Sequence, residues 1–123
     1  MFKRNKLTKE QFSVAIEGDT EGPFTGIYNA EKRKGNYICV VCDSKLFSSS
    51  TKYDSGTGWP AFYAPYNENA VSNYQDNSHG MERIEVKCKE CDAHLGHVFN
   101  DGPQPSGLRY CINSVVLKFI EEK

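Results

Sequence analysis

The sequence predicts a mainly β domain opened by one short helix, and three observations carry that prediction. A helix-start signal stands near the beginning of the chain, at Thr8 to Gln11. After it, short runs rich in β-branched and aromatic residues are separated by Gly, Pro, Asn and Ser clusters. Two Cys-x-x-Cys pairs each close a strand-like run, which is how metal knuckles are built. The 123 residues suit one domain, taken as residues 1–123. With 16 acidic against 15 basic side chains the net charge is −1, too balanced to hold a polyanion by charge alone. Only 38% of residues are apolar while 12% are aromatic, so the core must rest on a few large rings. A chain of this size buries roughly two-thirds of its unfolded surface and needs no disulfide to fold.

Taken in order, the start Met1-Phe2-Lys3-Arg4-Asn5-Lys6-Leu7 is basic, but Thr8-Lys9-Glu10-Gln11 stands where the apolar part of a signal peptide belongs. The longest apolar run, Tyr37 to Cys42, is strand-sized and far short of the roughly 20 residues of a membrane span. No Asn-x-Ser/Thr acceptor occurs, and the five cysteines are an odd number, so they cannot all be paired with one another. A reducing, cytoplasmic setting follows as the expectation, with no membrane partner. Thr8 and Gln11 form a capping box, Leu7 is placed to staple onto Phe12, and Phe12, Ala15 and Ile16 make a narrow apolar stripe ended by Gly18. Tyr37 to Val41, Arg83 to Cys88 and Arg109 to Ile120 read as strands. Tyr63 to Gly80, rich in Asn and Tyr, reads as a long loop or insertion that caps something.

The pairs Cys39-Val40-Val41-Cys42 and Cys88-Lys89-Glu90-Cys91 are each followed by Asp. A tight turn lets both thiolates of a pair face one ion, and four thiolates close a tetrahedron with no open position, which suits structural zinc. Two other readings stand beside it. The pairs are redox dithiols, although neither is set at a helix N-terminus that would lower a thiol pKa. Or Cys88, Cys91, His94 and His97 hold the ion, although two residues between histidines is short for that class and the first pair is then left without a role. Zinc on four thiolates takes the net charge from −1 to −3, further from nucleic acid.

Cys111 is the remaining thiol. Along a strand Arg109, Cys111 and Asn113 share one face, with Val115, Leu117 and Phe119 beyond them. The Arg109 cation favours the reactive thiolate. The plainer alternative is a small buried Cys111 and a solvated Arg109. His94 and His97 follow the second knuckle directly and are acid/base candidates, with Asp101 placed to orient one of them. His79 sits in a polar loop and is expected to be solvated. Trp59, in Gly56-Thr57-Gly58-Trp59-Pro60-Ala61-Phe62, is either a core residue or an aromatic wall for a ligand.

These motifs together, two CxxC knuckles with GWPAF between them, CDAHLGHVFNDGP and GLRYCINS after, resemble the B-type methionine sulfoxide reductases, from Leu7 nearly to the C-terminus. The resemblance implies two antiparallel sheets, a structural zinc on Cys39, Cys42, Cys88 and Cys91, and reduction of methionine-R-sulfoxide. It implies Cys111 as nucleophile, with His94, His97, Asp101, Arg109 and Asn113 shaping the site and Trp59 receiving the substrate methyl group. Cys111 would be left as a sulfenic acid, recycled by thioredoxin or a small thiol. A monomer is the expected state. Two positions depart from the family pattern: Thr57 stands where many members carry a resolving cysteine, and Ala61 where serine is frequent. The rival from another class is a non-catalytic zinc-ribbon module that binds protein or nucleic acid, which leaves Cys111, His97 and Trp59 unexplained.

Overall fold

The computed structural model describes residues 5–122, with every side chain in that range except His79. The basic start at Met1–Arg4 lies outside the described residues, and so does the expected solvation of the His79 side chain. Helix α1 spans Lys9–Ala15 behind the predicted capping box: Thr8 Oγ1 accepts from Gln11 N–H at 3.1 Å and Gln11 Oε1 accepts from Thr8 N–H at 2.9 Å. Gly18, at φ +80°, ends the segment and donates its N–H to Val14 C=O. The buried face differs from the predicted stripe. Val14 and Ala15 are buried, Phe12 and Ile16 stay 47% and 40% exposed, and Leu7 packs on the core. With only seven residues the helix buries just the side resting on the 3-10 turn Ser114–Val116 and on the strand His94–Phe99.

Among the described residues nine strands follow: β1 Gly35–Cys39, β2 Lys45–Ser48, β3 Lys52–Tyr53, β4 Ala61–Phe62, β5 Val71–Asp76, β6 Arg83–Cys88, β7 His94–Phe99, β8 Arg109–Ile112 and β9 Leu117–Glu121. They form two sheets whose paired strands are all antiparallel, ordered β2-β1-β9 and β3-β4-β8-β7-β6-β5. The mainly β class with two antiparallel sheets and one helix is therefore as expected. The predicted strand Arg83–Cys88 is β6 to the residue; Tyr37–Val41 starts two residues earlier and stops at Cys39, because Val40 and Val41 are spent in the knuckle turn.

Two expectations are corrected. Arg109–Ile120 is not one strand but β8 and β9, in different sheets, separated at Asn113 and the 3-10 turn. Val115, Leu117 and Phe119 thus do not continue the face of Cys111. The break has a polar cause: Asn113 donates both its backbone N–H and its Nδ2 to Leu95 C=O, at 2.9 Å each, and accepts Glu21 N–H at 3.0 Å, so it is buried and satisfied where a ladder would have to continue. Tyr63–Gly80 is not wholly a loop, since it contains β5, an edge strand paired with β6. Its polar residues suit an edge with much of its surface in water.

The core lies between the sheets and is built from rings, as the composition required. Phe47 and Phe62 stack at 4.4 Å, Tyr37 meets Phe62 edge-on at 5.1 Å, and Tyr110 closes on Phe47 at 5.9 Å. Tyr37 and Phe47 come from one sheet, Phe62 and Tyr110 from the other. Phe62 is fully buried and touches rings of the opposite sheet, so Phe62→Ala is expected to cost about 3–5 kcal/mol of stability in a denaturant titration. A loss below about 1 kcal/mol would mean the aromatic layer is not what joins the sheets.

Candidate active site and metal centre

The four knuckle cysteines converge. Their sulfurs all lie within 4.8 Å of one another, with Cys39 to Cys91 and Cys42 to Cys88 each at 3.6 Å. A tetrahedral zinc with Zn–S near 2.3 Å requires S···S edges of about 3.8 Å, so the spacing fits a metal of that kind. The two knuckles share one fold: Asp43 and Asp92 both sit at φ +64°, Asp43 N–H returns to Cys39 C=O at 2.9 Å and Asp92 N–H to Cys88 C=O at 2.8 Å. One knuckle ends β1 of the three-stranded sheet and the other joins β6 to β7 of the six-stranded sheet, so an ion here ties the two sheets together. The Cys88, Cys91, His94, His97 alternative does not match, because both histidines are bonded to carboxylates elsewhere. The redox-dithiol alternative does not match either, since all four sulfurs gather within 4.8 Å of one another as one cluster, not as two separate pairs.

Cys111 stands apart, on β8 in the middle of the six-stranded sheet. Successive register pairs align Tyr53, Ala61, Cys111, His97, Glu85 and Tyr74 in one row across the sheet. Directly opposed residues share a face, so Cys111 and His97 are side-by-side neighbours. Arg109 opposes Phe99 two residues along, and its guanidinium lies 4.4 Å from the Phe99 ring centre. A cavity of about 280 Å³ opens over this face, lined by Cys111, His97, Phe99, Arg109, Asn113 and Trp59, with Thr20, Thr57, Arg83 and Gly96. A larger cleft of about 760 Å³ beside α1 is lined, among the described residues, by neither cysteine nor histidine. The smaller cavity is the one with chemistry in it.

Each predicted site residue can now be placed. Trp59 is half-buried at the cavity wall, its Nε1–H donated to Glu21 C=O at 3.0 Å. Its loop is held by Phe24 N–H on Gly58 C=O at 2.7 Å. Gly58 has φ +96°, and a Cβ there would meet Pro23 at 2.7 Å, so only glycine fits. Asp101 does not orient a histidine. It takes Arg109 in a two-bond fork, Nε to Oδ1 at 2.8 Å and Nη2 to Oδ2 at 3.1 Å, and the guanidinium holds the Asp101 carboxyl below its ordinary pKa. Arg109 is thus a held side chain facing the thiol, not a solvated one.

His94 and His97, three residues apart, would face opposite sides of a regular strand. The register slips between Val86↔Gly96 and Lys87↔His94, leaving Leu95 as an extra residue, and this bulge turns both imidazoles to one face. Their rings meet edge-on at 5.6 Å. His97 lines the cavity, while His94 is 5% exposed and lies outside its lining. His94 Nδ1 is 2.7 Å from Glu85 Oε2, and His97 Nε2 is 2.8 Å from Asp76 Oδ2.

The electrostatics set the resting protonation. Burial pushes the Cys111 thiol pKa up, against the weaker pull of the Arg109 charge and the Thr57 hydroxyl, so Arg109 does not by itself make a thiolate. Burial likewise pushes His97 down, with Asp76 opposing. A neutral thiol therefore rests beside a neutral imidazole. Sequence reading missed Asp76, Glu85 and Glu21. Glu21 binds Trp59 through its carbonyl, Asn113 through its N–H, and Val115 N–H through its carboxylate at 2.9 Å. None has a local signature, because each is matched to its partner only by sheet register or by the chain crossing back over the site.

The chain is also similar to known proteins. The SelR domain matches residues 7–121. The chain is 60% identical over 116 residues to the peptide methionine sulfoxide reductase MsrB of Pseudomonas putida (strain W619), covering 94% of this chain and 87% of that protein. To the protein of the same name from Pseudomonas fluorescens (strain Pf0-1) it is 59% identical over 117 residues, covering 95% and 89%.

Proposed function

The chain belongs to the SelR-domain family of B-type methionine sulfoxide reductases, and from that membership we propose that it reduces methionine-R-sulfoxide, in proteins or free, to methionine through Cys111. The observation that carries this reading is the one cysteine outside the metal cluster lying directly opposite His97 on the floor of a cavity walled by Trp59. The two neutral groups supply a closed proton account. As the Cys111 sulfur attacks the sulfoxide sulfur, its proton passes to His97, and the imidazolium delivers it to the oxygen, where negative charge develops. The sulfoxide S–O bond and the transient bond between the two sulfurs then break as the hydroxyl passes to the Cys111 sulfur, so methionine leaves reduced by two electrons and Cys111 is left, oxidised by two, as sulfenic acid.

Arg109, clamped by Asp101, stabilises the sulfur anion as it forms, and Asn113 lines the cavity beside it. Trp59 receives the methyl group and so fixes which face of the sulfoxide meets the thiol. Zinc would be held by Cys39, Cys42, Cys88 and Cys91, where it supplies structure only. No thiol outside the metal site remains to condense with the sulfenic acid, and Thr57 occupies the cavity wall beside Cys111. Recycling then needs an external dithiol such as thioredoxin, or two small thiols, yielding a disulfide and water. Such a cycle suits a reducing compartment such as the cytoplasm, and we read residues 1–123 as one monomeric domain. Among the described residues no helix is long and apolar enough to cross a membrane.

Separated R and S sulfoxides test the reading. Without reductant, one methionine per enzyme is expected from the R epimer and none from the S, with a sulfenic-acid reagent captured at Cys111. Turnover of the S epimer, or an intramolecular Cys111 disulfide with release of metal, is the result that would overturn it.

A further inference from the structure

Asp76 is the last residue of edge strand β5, and no local pattern marks it out. Its Oδ2 lies 2.8 Å from His97 Nε2, Oδ1 accepts Ser78 N–H at 3.0 Å, and Arg83 Nη2 is 3.5 Å from Oδ2. The pairing Asp76↔Arg83 in the β5–β6 ladder sets the carboxylate at this spot. We propose that Asp76 is a positioning residue that completes a Cys111–His97–Asp76 relay, fixing the tautomer of His97 and stabilising the imidazolium that forms when the thiol proton is taken up. The relay rests on the function proposed above and deepens it.

An ionised carboxylate only accepts, so the Nε2 facing it carries the hydrogen. The lone pair of the neutral ring is then on Nδ1, which has no hydrogen-bond partner among the described residues and belongs to a ring lining the cavity opposite Cys111. The thiol proton moves to Nδ1 and from there to the sulfoxide oxygen. Cys111 sulfur is oxidised by two electrons as the methionine sulfur is reduced by two. Asp76 itself stays ionised, because His97, Ser78 and the nearby Arg83 all favour its charge. His94 is not equivalent: its Nδ1 is committed to Glu85 and its ring lies outside the cavity lining.

The charges and titratable groups facing His97 are Asp76 from β5, Arg83 and Glu85 from β6, His94 on its own strand, and Cys111 and Arg109 from β8. Removing the Asp76 charge leaves Arg83 unopposed near the ring, so the imidazolium is disfavoured and His97 titrates at lower pH. In Asp76→Asn, single-turnover methionine formation is expected to fall by about tenfold or more at its pH plateau, with KM within about twofold. The acid limb of the profile moves to lower pH, and Asp76→Glu restores part of the rate. Nitrogen-15 NMR of His97 in the resting protein is expected to show Nε2–H in wild type, and a mixed tautomer with a lowered titration in Asp76→Asn. An Asn variant with the wild-type plateau, or with a lowered plateau but unaltered His97 tautomer and acid limb, would overturn the relay. A wild-type protein that leaves R-sulfoxide untouched would instead refute the proposed function, and the NMR readout, which needs no turnover, keeps the two failures apart.

Discussion

Replacing Cys111 by serine is expected to abolish methionine formation from R-sulfoxide, by more than about a thousandfold, while fold and metal content are retained. The oxygen leaving the substrate must be taken up by an atom that can be oxidised by two electrons. Sulfur accepts it as a sulfenic acid, whereas serine would have to form an oxygen–oxygen bond, and its hydroxyl does not ionise near neutrality. A residual rate through a weaker nucleophile is therefore not available. Structural loss is not expected, because Cys111 lines the cavity, serine is close to it in size, and it takes no part in the four-sulfur cluster. Product analysis on the R epimer, with circular dichroism and metal content in parallel, gives the answer. Full activity in the serine variant would refute the role of Cys111 and with it the function proposed for the chain.

Stripping the metal is expected to be nearly as severe, and for fold as well as activity. The four sulfurs come from both sheets, so an ion held there would join them at one end while the aromatic layer joins them along the interior. Structural zinc contributes about 10–16 kcal/mol at neutral pH in small domains. The whole stability of a domain is about 5–15 kcal/mol. The metal term therefore decides, and a chelator is expected to lower Tm by more than about 10 °C or to leave no cooperative transition. Cys39→Ala should behave likewise, because three thiolates no longer close the site. Acidification should release the ion too, since the ligands bind as thiolates. A chelated protein with an unchanged Tm would show that the cluster is not a structural metal site.

These expectations draw unequally on sequence and structure. The division of five cysteines into four and one was readable along the chain, because a CxxC turn is a local object whose chemistry does not depend on what faces it. The same holds for the Thr8–Gln11 cap and for β6, each complete within a few residues. The buried face of α1 departs from the apolar stripe because that stripe includes residues that the short helix leaves in water. The break within Arg109–Ile120 has no local mark because β-branched and aromatic residues continue through the turn at Ser114, while the hydrogen-bond partners of Asn113, Leu95 and Glu21, are distant in the chain.

Chain order alone thus groups the four clustered cysteines, sets Cys111 apart with two histidines upstream of it, and carries the motifs of the family. How those parts are oriented depends on strand pairing. The tertiary structure assigned Asp101 to Arg109, Glu85 to His94 and Asp76 to His97, and it turned both imidazoles to one face through the bulge at Leu95. The reason is that a period of two records which side chains share a face within one strand, but carries no information on which strand lies opposite or in what register. A one-residue slip between β6 and β7 would leave the alternation of both unchanged and move the His97 side chain to the other face relative to Glu85. The partners of a catalytic group in a sheet are therefore a property of pairing, which forms only when the strands meet.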